Sequence, residues 1–458
     1  MAQVAENKKT GESNLRKIAL QLVMQIMEEG AFCDKALHQA FESYSLEKRD
    51  RSFIMRLTEG TVERCIELDY IINQFSKCPV SKMKPVIRNI LRLSVYQIFY
   101  MDQVPDSAAC NEAVKLAEAR KMYNLKGFVN GVLRNIVRKK EAIVYPEEKD
   151  FISYASVRYS MPEWIIRHFF SEQGKEATKE IFQKFLEEER SISIRCMQSR
   201  FSVQEVKESL QQEGVTVSEG KLLPYALSIS EYSSIKELQA FQQGMFQVQD
   251  ESSMMAGQIA DIQKGEVVID VCAAPGGKTF HAADILQGSG KVIAADLTKE
   301  KVALLRENCD RLQCQNVEIL QNDATVLREE WIEKADVVIA DLPCSGLGVI
   351  GKKCDIKYKT KQEDIIALAK IQRQIVSVVS QYVKPGGRLI FSTCTIAKKE
   401  NEENVKWIQE NLPFQTVSIE EHLPEILRGK TGKEGYLQVL PNETGTDGFF
   451  LSCFQKQG

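Results

Sequence analysis

From about residue 14 to residue 141, apolar side chains recur every three to four positions. Leu15, Ile18, Ala19, Leu22 and Ile26 form one stripe, and Ile54, Leu57, Val62 and Ile66 form another. That spacing puts each set on one face of a helix, and no strand-like alternation interrupts it, so residues 14–142 are expected to form an all-α domain. Residues 1–13 are polar and expected to be disordered. Tyr145-Pro146 and the charged run Glu147 to Asp150 mark a boundary, because proline and charge together disfavour a continuing helix. Beyond it, a helical pattern runs from Met161-Pro-Glu-Trp164 through Phe185, Ser191 to Arg195 alternates like a strand, and a helix from Val203 to Glu213 precedes short strands toward Ile229. Residues 143–243 therefore read as a small α+β connector. From Gly244 onward, strands and helices alternate as in a doubly wound sheet, so residues 244–458 are expected to be an α/β Rossmann-like domain. Its strands are Val267 to Asp270, Lys291 to Ala295, Val317 to Leu320, Asp336 to Ala340 and Arg388 to Ser392. Its helices include Lys299 to Leu312 and Glu363 to Val383, and Gly435 to Val439 with Gly448 to Cys453 form a closing pair of strands.

The stretch Val267 to Thr279 reads Val-Val-Ile-Asp-Val-Cys-Ala-Ala-Pro-Gly-Gly-Lys-Thr. A short β-branched run breaking into Pro-Gly-Gly is how a buried parallel strand hands over to a cofactor loop. Gly277-Lys278-Thr279 imitates the end of a P-loop, but that motif needs a glycine where Cys272 stands. A dinucleotide fingerprint fails as well, with Cys272, Ala274 and Gly277 in the places of its three glycines. What remains is a loop suited to close backbone approach to a ligand that need not carry phosphate, and S-adenosylmethionine fits.

The 458 residues, 43% hydrophobic and 27% charged, allow two or three globular domains. The chain has no apolar run of about 18 residues and no apolar signal core near Met1, so a soluble, cytoplasmic protein with no membrane partner is expected. Its 12 cysteines are scattered without a Cys-x-x-Cys pair, which favours reduced thiols over disulfides or a metal site. A monomer is expected. Charge changes the picture more. Residues 1–142 hold 23 Lys and Arg against 17 Asp and Glu, net +6, which leaves −9 on the remainder of a chain whose total is −3. Such asymmetry suits an RNA-facing N-terminal part, with a solvated helical surface as the competing reading. Lys82, Lys84, Arg88 and Arg92 lie on one side of a segment whose other side is apolar, and Lys121, Lys126, Arg134, Arg138, Lys139 and Lys140 gather farther on.

In an open α/β sheet the ligand lies beyond the carboxyl ends of the strands, where Asp270, Asp296, Asp323 and Asp341 fall. Asp296 is placed to accept both hydroxyls of a ribose, and Asp323 to accept from an adenine amine. A single such Asp is commonly a cap or turn former; four at successive strand ends point to a ligand. Asp341-Leu-Pro-Cys344-Ser-Gly346 and Ser392-Thr-Cys394-Thr395 put a thiol at each of two successive strand ends. A lone Cys is usually a small buried hydrophobe, but this pair suggests thiol chemistry. Papain-like proteolysis would need a partnered histidine, which the four histidines do not supply.

Leu91-Arg-Leu-Ser-Val-Tyr-Gln97, Asn111-Glu-Ala-Val-Lys-Leu-Ala117 and Gly127-Phe-Val-Asn-Gly-Val-Leu-Arg-Asn135 resemble the helical RNA-binding domain of the antitermination factor NusB. The motifs Asp270 to Thr279, Asp341 to Gly346 and Ser392 to Thr395 resemble those of RNA cytosine-C5 methyltransferases of the Nop/Sun group. With the NusB-like part, the likeness covers nearly the whole chain and points to bacterial members acting on 16S ribosomal RNA. It implies that Cys272, Ala273, Ala274, Pro275, Gly276, Gly277, Lys278, Asp296, Asp323 and Asp341 bind S-adenosylmethionine. It also implies that Cys394 is the nucleophile that adds to carbon 6 of cytosine, that Asp341 stabilises charge at N3, and that Cys344 helps remove the carbon 5 proton. Lys278 is expected to assist ionisation of Cys394, whose thiol class has a pKa of about 8.5. Lys82, Lys84, Arg88, Arg134, Arg138, Arg195, Lys352 and Lys353 are the expected RNA contacts. Two alternatives stay open: an RNA-binding assembly factor with a non-catalytic methyltransferase domain, and the same chemistry on another RNA such as tRNA.

Overall fold

The computed structural model describes residues 15–187 and 191–458; the expected disorder of residues 1–13 falls outside them. The chain divides into two compact units. The first runs to Gln183 and adds Lys352–Thr360, and the second comprises Lys184–Gly351 and Lys361–Gly458.

The first unit is helical, as the periodicity predicts. Helices Leu15–Glu28, Lys48–Glu63, Pro85–Tyr100, Asp106–Ala119 and Lys126–Arg138 bury Ile18, Leu22, Ile54, Leu57, Ile90, Leu91 and Leu133 in one core. The domain boundary expected at residue 142 lies inside this unit, because helices Phe151–Arg158 and Glu163–Gln173 join it. The Ser160 hydroxyl accepts from Ile66 N at 3.0 Å, and Tyr70 OH donates to the Val144 carbonyl at 2.9 Å. A second departure is the inserted segment Lys352–Thr360, which sequence alone assigns to the α/β domain. Asp355 Oδ2 accepts from Cys33 N at 3.0 Å, and Lys357 Nζ donates to the Glu63 carbonyl at 2.7 Å. Burial pushes Lys357 down to about 8 and the nearby Glu59 carboxyl up to about 7. Lys357 and Asp355 sit inside the helical core, where backbone partners satisfy them.

The second unit holds two sheets. Strands β1 (Ile192–Cys196), β2 (Thr216–Glu219), β3 (Ala226–Ser230) and β4 (Phe246–Val248) form a sheet ordered β2-β3-β1-β4, in which every neighbouring pair is antiparallel. β4 was expected in the last domain, but Cys196 pairs with Phe246 across β1 and β4, so the connector keeps it. The larger sheet contains β5 (Val267–Asp270), β6 (Lys291–Asp296), β7 (Val317–Gln321), β8 (Ala335–Asp341), β9 (Val383–Thr393), β10 (Phe414–Thr416), β11 (Tyr436–Val439) and β12 (Phe449–Lys456). Its order is β10-β12-β9-β8-β5-β6-β7, with β11 paired to β12. β7, β6, β5, β8 and β9 run parallel, and β12 turns antiparallel onto β9. β5, β6 and β8, in the middle of the sheet, are covered on both faces, which is why they read as near-continuous Val, Ile and Ala runs. Strand order reverses at β5, between β6 and β8, so a ligand crevice opens at their carboxyl ends. No helix among the described residues is long and apolar enough to cross a membrane.

Candidate active site

β5 ends at Asp270, and the chain turns through Pro275-Gly276-Gly277 into helix Gly277–Leu286. Gly276 has φ +108°, and a Cβ there would lie 2.0 Å from the Phe280 ring, so only glycine permits this turn. Thr279 Oγ1 donates to Asp270 Oδ2 at 2.6 Å. Asp270 is buried, and burial lifts its carboxyl to about 7 despite that bond. Of the four strand-end acids, then, Asp270 fastens the loop to its own strand.

Asp323 and Asp341 are more open than Asp270, whereas Asp296 is as buried as Asp270 and is held against the loop. Asp296, at the end of β6, accepts from Ala274 N at 3.0 Å and from Leu297 N at 2.7 Å, and Lys301 Nζ lies 3.0 Å away. Asp323, exposed just past β7, accepts from Thr325 N and Oγ1 at 2.9 and 2.7 Å, which holds it below the usual carboxylate range. Asp341 ends β8. Its Oδ2 accepts from Lys278 Nζ at 2.7 Å and its Oδ1 from Ser392 Oγ at 2.8 Å. Lys278 also donates to Ser253 Oγ at 2.7 Å and sits 4.8 Å from the centre of the Phe449 ring. Among the described residues no hydrogen bond or ion pair joins Lys278 to Cys394; its ammonium is held by Asp341 and Ser253.

The thiols meet. Asp341 pairs with Ser392 across β8 and β9, and the loops that continue from these strands bring Cys344 Sγ and Cys394 Sγ to 3.2 Å. The residues after them also touch: Ser345 Oγ and Thr395 Oγ1 are 2.7 Å apart. Gly348 N donates to the Cys394 carbonyl at 3.1 Å, and Gly448 N donates to the Gly348 carbonyl at 2.9 Å. A Cβ on Gly348 would come within 2.0 Å of the Gly448 oxygen, so the close stacking of these loops requires glycine. The Cys344 thiol is pushed well up by its hydrogen bond with Cys394, by burial and by Glu400.

The expected RNA contacts separate. Lys82, Lys84, Arg134, Arg138, Lys352 and Lys353 are exposed. Arg88 is half-buried and ion-paired with Glu28, which reduces its availability, and Arg92 is buried against Asp69 at 2.7 Å. Arg195 does not belong with them. It is fully buried in β1, where its guanidinium meets Asp284 Oδ2 at 3.1 Å and Gln249 Oε1 at 3.1 Å. Both faces of β1 are covered over Ile194–Cys196, so position 195 is enclosed whichever face it takes.

Sequence reading missed Ser253, Ser392, Phe449 and Glu400. Ser392 lies inside a recognised motif and Ser253 beside the polar run Asp250 to Ser253, but Glu400 sits in a charged stretch that resembles a solvated surface. Asp296 and Asp323 offer carboxylates for hydroxyls and an amine, and the Lys278 ammonium is engaged by Asp341. This donor set suits a cofactor carrying ribose and positive charge better than one carrying phosphate.

Fold and site together define an α/β methyltransferase domain with paired thiols at adjacent strand ends, alongside a helical unit. Residues 258–455 match the 16S rRNA methyltransferase RsmB/F family, and residues 13–138 match the NusB family. The chain is 35% identical to the probable ribosomal RNA small subunit methyltransferase B of Bacillus subtilis (strain 168), over 98% of this chain and 100% of the relative. It is 29% identical to ribosomal RNA small subunit methyltransferase B of Vibrio cholerae, over 97% and 98%. The crystal structure of PH0851 superposes with a TM-score of 0.82 at 26% identity, covering 98% of this chain and 100% of that one. NSun6 from Pyrococcus horikoshii, solved with SFG, shares the fold at a TM-score of 0.58 and 24% identity, over 65% and 98%. The chain belongs to the RsmB/F methyltransferase family and also carries a NusB-family domain.

Proposed function

We propose that this protein methylates carbon 5 of a cytosine in 16S ribosomal RNA, using S-adenosylmethionine and a transient bond between Cys394 and the base. The observation that carries the reading is the pair of thiols 3.2 Å apart beyond β8 and β9, next to Asp341. Cys272 to Lys278, Asp296, Asp323 and Asp341 would hold the cofactor, which supplies an electrophilic methyl group when bound.

Carbon 5 of cytosine is a poor nucleophile, so the Cys394 thiolate first adds to carbon 6 and drives electron density onto carbon 5. Asp341, held by Lys278 and Ser392, would face the N3 edge, where a proton shared between its carboxyl and N3 neutralises the negative charge that addition puts on the ring and returns when Cys394 leaves. Carbon 5 then accepts the methyl group while still carrying its proton. Cys344, as a thiolate, takes that proton; the C–H electron pair restores the 5,6 double bond and expels Cys394 as a thiolate. Cys344 acts after Cys394 because carbon 5 has a proton to lose only once it has taken the methyl group. The base must leave any stack to reach the thiols, at a cost of a few kcal/mol, roughly, which phosphate contacts through Lys82, Lys84, Arg134 and Arg138 help to offset.

Separating the thiols tests this reading. Cys394→Ala should lower methyl transfer by on the order of 10⁴-fold and abolish covalent capture of RNA. Cys344→Ala should instead accumulate a protein–RNA adduct that survives a denaturing gel. An adduct on Cys394→Ala would reverse the two roles, and bisulfite mapping of treated 16S RNA would identify the cytosine.

A further inference from the structure

The tripeptide Pro343-Cys344-Ser345 is held at both ends by side chains outside the recognised motifs. The Glu400 carboxylate is fully buried, and its Oε2 accepts from Ser345 N at 3.0 Å and from Gln372 Nε2 at 2.9 Å. The same Gln372 amide donates to the Pro343 carbonyl at 3.0 Å. Gln372 is fixed in turn, since its Oε1 accepts from Asn404 Nδ2 at 2.7 Å, and Asn404 also accepts from Arg373 Nε at 2.8 Å. The result is a closed triangle of Glu400, Gln372 and the Cys344 backbone, anchored on helices Gln362–Val379 and Glu402–Asn411.

We propose that Glu400 is a positioning residue for the release step, setting where the Cys344 sulfur stands relative to Cys394 and the methylated base. This rests on the reading of Cys394 as nucleophile and Cys344 as releasing thiol. Cys394 does not depend on the triangle in the same way. It follows directly from β9, whose place is fixed by pairing with β8 and β12, and its carbonyl is held by Gly348 N. Loss of Glu400 therefore frees one thiol more than the other. The Ser345–Thr395 contact still tethers the loops after such a loss, so Cys344 is displaced rather than removed. A proton transfer between a thiol and a carbon is sensitive to displacements of an ångström, whereas addition of Cys394 to the base proceeds without Cys344. Glutamine at 400 keeps an acceptor oxygen for Ser345 N and Gln372 and so preserves the triangle.

The full-length protein is incubated with 16S RNA and labelled S-adenosylmethionine, and adduct formation and adduct decay are timed separately on denaturing gels. Glu400→Ala should form adduct nearly as fast as the unaltered protein and release it about tenfold or more slowly, so that adduct accumulates. Glu400→Gln should release at close to the normal rate, and Gln372→Met should slow release in the same sense as Glu400→Ala. Equal loss of formation and decay in Glu400→Ala, tracking a lowered Tm, would overturn the proposal in favour of a scaffold role. Slow release in Glu400→Gln would overturn it too, because the acceptor is retained there. Cys344→Ala run in parallel separates the two levels of argument. If it accumulates adduct while the Glu400 and Gln372 variants do not, only this proposal fails; if it accumulates none, the assignment of the thiols fails with it.

Discussion

Lys278–Asp341 and Arg195–Asp284 are ion pairs of the same unit, each with a buried cation, and the structure around them differs in one respect. In the first pair the lysine side chain is 7% exposed and the aspartate 33% exposed, at an open strand end. In the second the values are 0% and 6%. Asp284 is enclosed on all sides by donors, with Arg195, Gln198 N and Ser199 N on its two oxygens. Asp341 has one side-chain donor on each oxygen, which leaves lone pairs directed toward the crevice. A saturated, enclosed pair fixes a fold; a pair with acceptor capacity at an open end can serve a ligand.

Mutating both pairs would break or sharpen that contrast. Asp341→Asn should cost catalysis most, about 10² to 10³ in kcat, with RNA affinity retained. An inactive variant that is also unfolded would erase the distinction. Arg195→Leu leaves Asp284 buried without its cation and should lower unfolding free energy by about 3–5 kcal/mol in urea titrations, with RNA affinity of the folded protein unchanged. Weaker RNA binding at normal stability would restore Arg195 to the RNA-facing group.

Asp270 gives a smaller effect of defined sign. Its folded-state pKa, about 7, lies above the ordinary carboxyl value, so between about pH 4 and 7 the folded protein keeps a proton that the unfolded chain has lost. Stability therefore falls as pH rises through that window. Asp270→Asn, which still accepts from Thr279, should gain about 2–3 kcal/mol relative to the unaltered protein between pH 5 and pH 7.5. A pH-independent difference would contradict the burial argument. The smallest effect belongs to the exposed arginines: Arg134→Ala or Arg138→Ala should each reduce the slope of log K against log salt by about 1.

Much of the catalytic unit was legible because parallel strands advertise themselves as short β-branched runs and their acids fall at the carboxyl ends. β6, β7 and β8 lie within a residue of where periodicity puts them, and helix Lys299–Leu312 has the expected ends. What escaped reading depends on partners distant in sequence. Arg195 resembles any strand-borne arginine until Asp284, 89 residues later, closes on it. Glu400 looks solvated because nothing nearby reveals Ser345 or Gln372. Lys352 to Thr360 is polar enough to pass for a surface loop, and only contacts with Cys33 and Glu63 make Asp355 and Lys357 interior residues, with Lys359 half-buried against Ala31.

That inserted segment has a consequence for synthesis. The helical unit begins near the N-terminus, yet the side chains of Cys354, Asp355 and Lys357 that fill its interior belong to a stretch made after β8. On a ribosome that releases the chain from its N-terminus, the helical unit emerges before the second one, yet its last interior residues arrive only with the segment ending at Thr360. Its native packing is therefore completed late in translation, after more than half of the second unit's sequence has been made.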